Sequence, residues 1–240
     1  MKDRDIDDIL KRAADEAPDV DPALLDRVSR SIGSGLRPVR PLPPSWVLSG
    51  RLVVISGTLA IAGAMLLKPL GVQKMSALEI GLIFPVLSVM VWIAAVLCVA
   101  EVIPGSRRPV APWLLCACGC AGLAAVFGLL FHDYRMVRFV PRGVSCLTAG
   151  LALALPSSIA IWLLLRRGFA VNSAAAGLAK GTLAGLAGLT MLELHCPIFE
   201  APHVLVWHIA VLPVCGVAGA LVARRQGRLA TNKPWPNSGP

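Results

Sequence analysis

Residues 80–100 read IGLIFPVLSVMVWIAAVLCVA, from Ile80 to Ala100, with no charge anywhere in the run. A bilayer core is about 30 Å thick, and a helix needs roughly 20 mainly apolar residues to cross it. Five more segments pass the same test. They are Leu52–Leu67, which borrows Trp46–Gly50, then Val110–Phe131, Val144–Leu165, Ala174–Leu194 and Val204–Ala223. Pro and Gly fill most of the gaps, at Lys68-Pro69, Pro104-Gly105, Pro141-Arg142-Gly143 and Cys196-Pro197. The expected fold is all-α: a six-transmembrane-helix bundle over residues 46–225, with a short N-terminal cytoplasmic helical segment. Whole-chain composition agrees. The 240 residues are 56% hydrophobic and 15% charged, with mean hydropathy +0.71, against about 45–50% and about 25% in soluble domains. That balance excludes a disordered protein, a coiled coil and an ordinary soluble enzyme. No segment reads as a removable signal peptide, because the first apolar run follows about fifty polar residues.

The net charge of +9 need not mean nucleic acid. Lys and Arg collect on cytoplasmic loops. Residues 1–51 hold nine of them, and Arg107-Arg108, Arg166-Arg167, Arg224, Arg225, Arg228 and Lys233 bring that side to 17. The loops of the other side hold five: Lys68, Lys74, Arg135, Arg138 and Arg142. Both termini are therefore expected in the cytoplasm.

Residues 1–45 differ from the rest. The first thirty carry nine acids against six bases, a net of −3. Ile6, Ile9, Leu10 and Ala13 recur at helical spacing, and Pro18 breaks the pattern. Asp21-Pro22 is a helix start, with Asp as N-cap and Pro in the first turn. Leu24, Leu25, Val28, Ile32 and Leu36 form a second stripe. Arg37–Pro44 is Pro-rich and reads as an extended spacer. Two short amphipathic helices on a tether bury little against each other. The candidate partner-binding residues are Ile6, Ile9, Leu10, Leu24, Leu25, Val28 and Ile32, laid into a partner's groove. A solvated terminus is the plainer alternative. Residues 226–240 are expected to be a disordered cytoplasmic tail.

Within the spans, Gly177, Gly181, Gly185 and Gly188 form a stripe that lets helix backbones approach closely in lipid. It can serve within one chain or between two copies in a homo-oligomer. Lys180 beside it can snorkel to the interface, and Glu79 and Glu101 lie at span ends as interfacial groups. No span is expected to have an acid or base buried mid-membrane without an escape route, whereas proton pumps and ion-coupled transporters place such groups near the midplane. There is no Ser/His/Asp set, no His-Glu-x-x-His and no phosphate-binding glycine loop.

Seven cysteines divide into two groups. Cys98, Cys116, Cys118, Cys120 and Cys215 lie inside spans, where a thiol behaves as a small hydrophobe. Cys116 and Cys120 are one turn apart, but metal ligation wants thiolates and an apolar helix does not favour them. Cys146, two residues into the fourth span, and Cys196, just past the fifth, lie at one depth on the expected outer side. Two thiols there can bridge or bind a soft divalent metal ion. His195 adjoins Cys196, and His203 and His208 flank the next helix start. The candidate metal ligands are Cys146, Cys196, His195, His203 and His208, with Cys146 and Cys196 as the signal-sensing pair. His132 is a weaker candidate near the same face.

The run Leu192-Glu193-Leu194-His195-Cys196-Pro197, with His203 and Val206-Trp207-His208, resembles the C-terminal signature of the NrsF (negative regulator of sigma F) family. So does Cys146 with Leu155-Pro156-Ser157, Trp162 and Arg166-Arg167-Gly168 leading into the glycine-rich helix. Asp7-Asp8-Ile9-Leu10 and the stretch from Ala13 to Val20 are similar to the family's opening. The resemblance covers most of the chain, is strong over residues 143–223 and is loose over the first three spans. It implies a bacterial inner-membrane anti-sigma factor, not an enzyme. Such a protein holds an extracytoplasmic-function sigma factor through its cytoplasmic head and does not itself touch nucleic acid. The resemblance also implies a paired cysteine tied to stress or heavy-metal sensing, which maps onto Cys146 and Cys196. The extra thiols and the Pro-rich spacer depart from that pattern. Two rivals remain at this stage. One is a small metal or solute transporter using the Cys/His cluster, against which the lack of midplane charges speaks. The other is a membrane-bound enzyme or haem protein using His195 and His208.

Overall fold

The computed structural model describes Lys11 and residues 21–35, 42–103, 105–106 and 108–231, with backbone alone for residues 32, 34, 35 and 229–231. The chain divides into two compact units, Met1–Pro41 and Leu42–Pro240. In the first, α1 spans Pro22–Gly35. Asp21 starts it: the Ala23 N–H donates to Asp21 Oδ1 at 2.9 Å. Pro22 then takes the first helical position, where its missing N–H is no loss. Leu24, Leu25 and Val28 are all exposed. Ile32 lies in α1, but its side chain is outside the described residues, as are Ile6, Ile9 and Leu10 altogether.

The second unit holds six helices long and apolar enough to cross a membrane. They are α2 (Ser45–Leu67), α3 (Ala77–Val102), α4 (Pro112–Leu130), α5 (Phe139–Leu165), α6 (Ser173–His195) and α7. We use α7 for one continuous rod built from Ala201–His203, a π-helical turn Val204–His208, and Ile209–Thr231. There is no strand among the described residues. Local chemistry sets several ends. Ser76 and Glu79 close a reciprocal capping box at the start of α3, and Asn172 caps α6 through the Ala175 N–H.

Two boundaries differ from expectation. α5 begins at Phe139, five residues before Val144. Arg138 takes a left-handed backbone (φ 52) that turns the loop directly into the helix. Pro141 falls in the first turn, where it breaks no hydrogen bond. Cys146 is therefore two turns inside the helix rather than two residues in. At the other end, α7 continues to Thr231, so residues 226–231 of the expected tail are helical.

α6 has the lowest mean hydropathy of the six, 1.3 against 1.8–2.7, yet it is the most buried. Small residues explain both. Glycine and alanine contribute little hydropathy, but they let neighbouring backbones close in. A Cβ on Gly188 would lie 2.5 Å from the Gly150 carbonyl oxygen of α5, and one on Gly185 would lie 3.2 Å from Leu212 Cα of α7. Gly177 and Gly181 likewise face Gly219 and Cys215 of α7. The glycine stripe is thus spent inside the chain, on α5 and α7. α3, α2 and α4 complete the ring around α6.

The α2–α3, α4–α5 and α6–α7 connections meet at one end of the bundle. The Gly71 N–H donates to the Leu194 and His195 carbonyls at 3.1 Å each, and Val72 to Leu194 at 3.2 Å. These bonds satisfy carbonyls that the end of α6 would otherwise leave open. The Ala201 N–H donates to the Asp133 carbonyl at 2.7 Å, and Phe131 stacks on Phe199 at 5.3 Å. At the opposite end, the Phe169 N–H donates to the Val102 carbonyl at 2.9 Å. Glu101, expected at the interface, is instead buried there and paired with Arg108 Nε at 3.0 Å. The carboxylate has no exposed surface, and the half-exposed Arg108 reaches in to pair with it.

Candidate metal centre

Four side chains converge beneath the loop end. Cys146 comes from the second turn of α5 and Cys196 is the residue that ends α6, its N–H donating to the Leu192 carbonyl at 2.7 Å. His203 and His208 come from the start of α7. In an α-helix of 3.6 residues per turn, side chains five apart diverge by about 140°. The π turn bonds each N–H five residues back and so widens the turn. The two imidazoles consequently meet edge-on, with ring centroids 5.2 Å apart. Gly143, one turn before Cys146, leaves the space that the Trp207 indole fills, which brings α5 against the π turn.

Cys146 Sγ lies 3.5 Å from Cys196 Sγ, and Cys196 Sγ lies 3.7 Å from His203 Nε2. One ligand atom from each of Cys146, Cys196, His203 and His208 falls within 4.8 Å of all the others. Cys196, His203 and His208 are buried and Cys146 is half-buried. A cleft of about 380 Å³, lined by Arg138, Arg142, Ser145 and His195 among others, opens onto both thiols.

Behind the cluster stands an acid that sequence reading did not single out. His208 Nδ1–H donates to Glu193 Oε1 at 2.7 Å, and both side chains are fully buried. His208 Nε2 and Glu193 Oε2 have no hydrogen-bond partner. The signal available in the sequence was the carboxylate itself, set among Met191, Leu192 and Leu194. Its partner is 15 residues away on another helix, and only packing reveals it.

His195, expected among the ligands, does not join the cluster. Its Nδ1 bonds instead with the Lys68 carbonyl oxygen at 2.8 Å, which follows from the loop around Lys68 (φ 75) folding over the end of α6. His132 lines a separate cavity of about 490 Å³ with Glu79, Asp133, Arg142 and Glu200. The thiols of Cys98, Cys116, Cys118, Cys120 and Cys215 stay on α3, α4 and α7 outside the cluster.

Outside the spans, three of the described groups have shifted proton affinity: Cys196, Asp133 and Arg135, the last raised by its hydrogen bonds to Asp133. The Cys196 thiol is held above its ordinary range, because it shares a hydrogen bond with Cys146 as the proton-bearing partner and because it is buried. His203 and His208 pull the other way. The Asp133 carboxyl is held below its usual value by hydrogen bonds from Arg135, at 2.5–3.0 Å from the side chain.

This donor set supports two kinds of chemistry. Thiolate and imidazole together suit zinc-like ions. The two sulfurs can also join as a disulfide of about 2.05 Å after an approach of about 1.5 Å. Among known proteins, residues 33–228 match the family described as NrsF, negative regulator of sigma F. No curated protein and no solved structure matches the chain.

Proposed function

Because the chain belongs to the NrsF family of negative regulators of sigma F, we propose that it is a multi-pass anti-sigma factor of the bacterial inner membrane with both termini in the cytoplasm. The observation that carries this reading is the family match, which takes in all six spans. It begins at residue 33, so the role of the head rests on the head's own chemistry. Three apolar side chains of α1, Leu24, Leu25 and Val28, lie open to solvent. These side chains and Ile32, together with the separate set Ile6, Ile9 and Leu10, are the apolar residues that would seat in a groove of an extracytoplasmic-function sigma factor. The sigma factor, held there, is kept from RNA polymerase.

Release would start at Cys146 and Cys196. These thiols belong to α5 and to the end of α6, and their neighbours His203 and His208 belong to α7. Metal capture or oxidation that prefers one packing of these three helices shifts the population toward it. Tenfold release requires a difference of about 1.4 kcal/mol, well within the reach of thiolate–metal bonding.

The test uses the full chain in lipid nanodiscs and a co-encoded sigma factor. Capture is expected, and L25D with V28D should weaken it at least tenfold. Cadmium or a thiol oxidant should release the sigma factor, and C146S/C196S should abolish that release. A chain that captures no sigma factor would refute the function, and release unchanged in C146S/C196S would refute the sensing step.

A further inference from the structure

We propose that Cys146, Cys196, His203 and His208 form a closed four-coordinate site for a divalent ion of the zinc type, and that Glu193 is the positioning residue that aims His208 at the ion. The proposal deepens the sensing step above and rests on that reading only for what the ion regulates. The site itself rests on geometry.

Zinc lies about 2.3 Å from thiolate sulfur and about 2.0 Å from imidazole nitrogen. A tetrahedron with those radii has sulfur–sulfur edges of about 3.8 Å and sulfur–nitrogen edges of about 3.5 Å. The corresponding separations here are 3.5 Å for Cys146–Cys196 and 3.7 Å for Cys196–His203. Even the widest pair of the four lies within 4.8 Å, so closure needs no more than about 1.5 Å of movement.

The second observation lies on the imidazole side of the cluster. His208 is fully buried and spends Nδ1 on Glu193, which leaves Nε2 with no partner. A buried polar atom without a partner calls for an explanation. A metal-bound histidine almost always donates its other ring N–H to a carboxylate or carbonyl, which fixes its tautomer and orientation. His208 and Glu193 have that arrangement with the outward nitrogen free. A disulfide between the cysteines would leave Nε2 as it is, whereas an ion satisfies it.

Charge also balances. Loading displaces the protons of both thiols, and that of His208 Nε2 where the imidazole is paired with Glu193 as a cation: Cys146 and Cys196 bind as thiolates, and His203 and His208 bind neutral. Two negative ligands cancel the ion's two positive charges, so the one charge left in the buried site is that of Glu193, held by the His208 Nδ1–H. Glu193 keeps its negative charge on the Nδ1–H. His195 takes no part, since its ring is held by the Lys68 carbonyl.

The experiment loads purified full-length protein in nanodiscs with zinc or cobalt(II) alone, followed by metal analysis and visible spectroscopy. About one ion per chain is expected, with the intense visible bands of tetrahedral cobalt and an ultraviolet thiolate-to-cobalt band. H203A and H208A should each weaken retention strongly, and H195A should not. Glu193→Gln keeps an acceptor for Nδ1–H, so it should retain the tetrahedral spectrum with affinity about 10–100-fold lower. Glu193→Leu should lose that spectrum, and H195A, which leaves the centre intact, shows that a substitution at this end of the bundle does not itself unfold the chain. Failure to retain an ion, an octahedral spectrum, or affinity unchanged in H208A would overturn the proposal. Protein that retains one tetrahedral ion but captures no sigma factor before loading would leave the centre standing and overturn the anti-sigma reading instead.

Discussion

Gly188→Ala isolates the contact on which the bundle's centre depends. A Cβ at this position would sit 2.5 Å from the Gly150 carbonyl oxygen, 3.2 Å from its carbon and 3.3 Å from Val211 Cγ1, where ordinary contact begins at 3.4 Å. Two of these neighbours are backbone atoms of α5, so no side chain can rotate away. α5 and α6 must part by about 0.9 Å, and a gap of that size forfeits a quarter to a half of each dispersion contact along the seam. Overpacking of this kind costs about 1–3 kcal/mol, which for a chain of this length lowers Tm by roughly 3–10 °C. Gly122→Ala is the control. It lies in α4 with nothing within 4 Å of the added methyl, so the substitution should be neutral or stabilising. Thermal unfolding of both variants in the same detergent gives the comparison. The displaced helices carry Cys146 one turn before Gly150 and Glu193 five residues after Gly188, so Gly188→Ala should also weaken metal retention. If Gly188→Ala melts with the parent while Gly122→Ala does too, the close approach of α5 and α6 is wrong.

Two further perturbations probe the ends of the bundle. Arg108→Ala removes the cation beside the buried Glu101 carboxylate, and breaking such a pair should cost about 3 kcal/mol, the low end because Arg108 is half in solvent. Adding Glu101→Leu should recover most of that loss, and a double variant no more stable than Arg108→Ala alone would show that the carboxylate is not what suffers. At the other end, the Asp133 carboxyl titrates below its ordinary 3.8 because of Arg135. Its small contribution is therefore fully present above that value and lost as pH falls through the lower folded value. Arg135→Ala should move the Asp133 titration upward toward 3.8, followed by carboxyl NMR, and a titration that stays put would refute the pairing.

Six spans, an all-α bundle and an asymmetric distribution of cations could be read from the chain alone. The reason is that crossing a membrane is a local, additive property: about twenty apolar residues suffice whatever surrounds them. The start of α1 was legible for a similar reason, since Asp21 and Pro22 act on their immediate neighbours. Cys146, Cys196, His203 and His208 were each visible as chemistry-bearing residues near one depth. Which of them meet was not. His195 is adjacent to Cys196 in sequence yet turns to the Lys68 carbonyl, because the α2–α3 loop folds over the end of α6. His203 and His208 share a face only because the helix widens into a π turn, which 3.6-residue periodicity cannot foresee. Glu193 stood only within the Leu192–Pro197 run, and its pairing exists only through His208 on the neighbouring helix. The glycine stripe announced a close contact but could not name its partner, since small size is equally useful against any backbone. Packing assigned it to α5 and α7, and by drawing those helices together it placed the thiols and imidazoles within reach of a single ion.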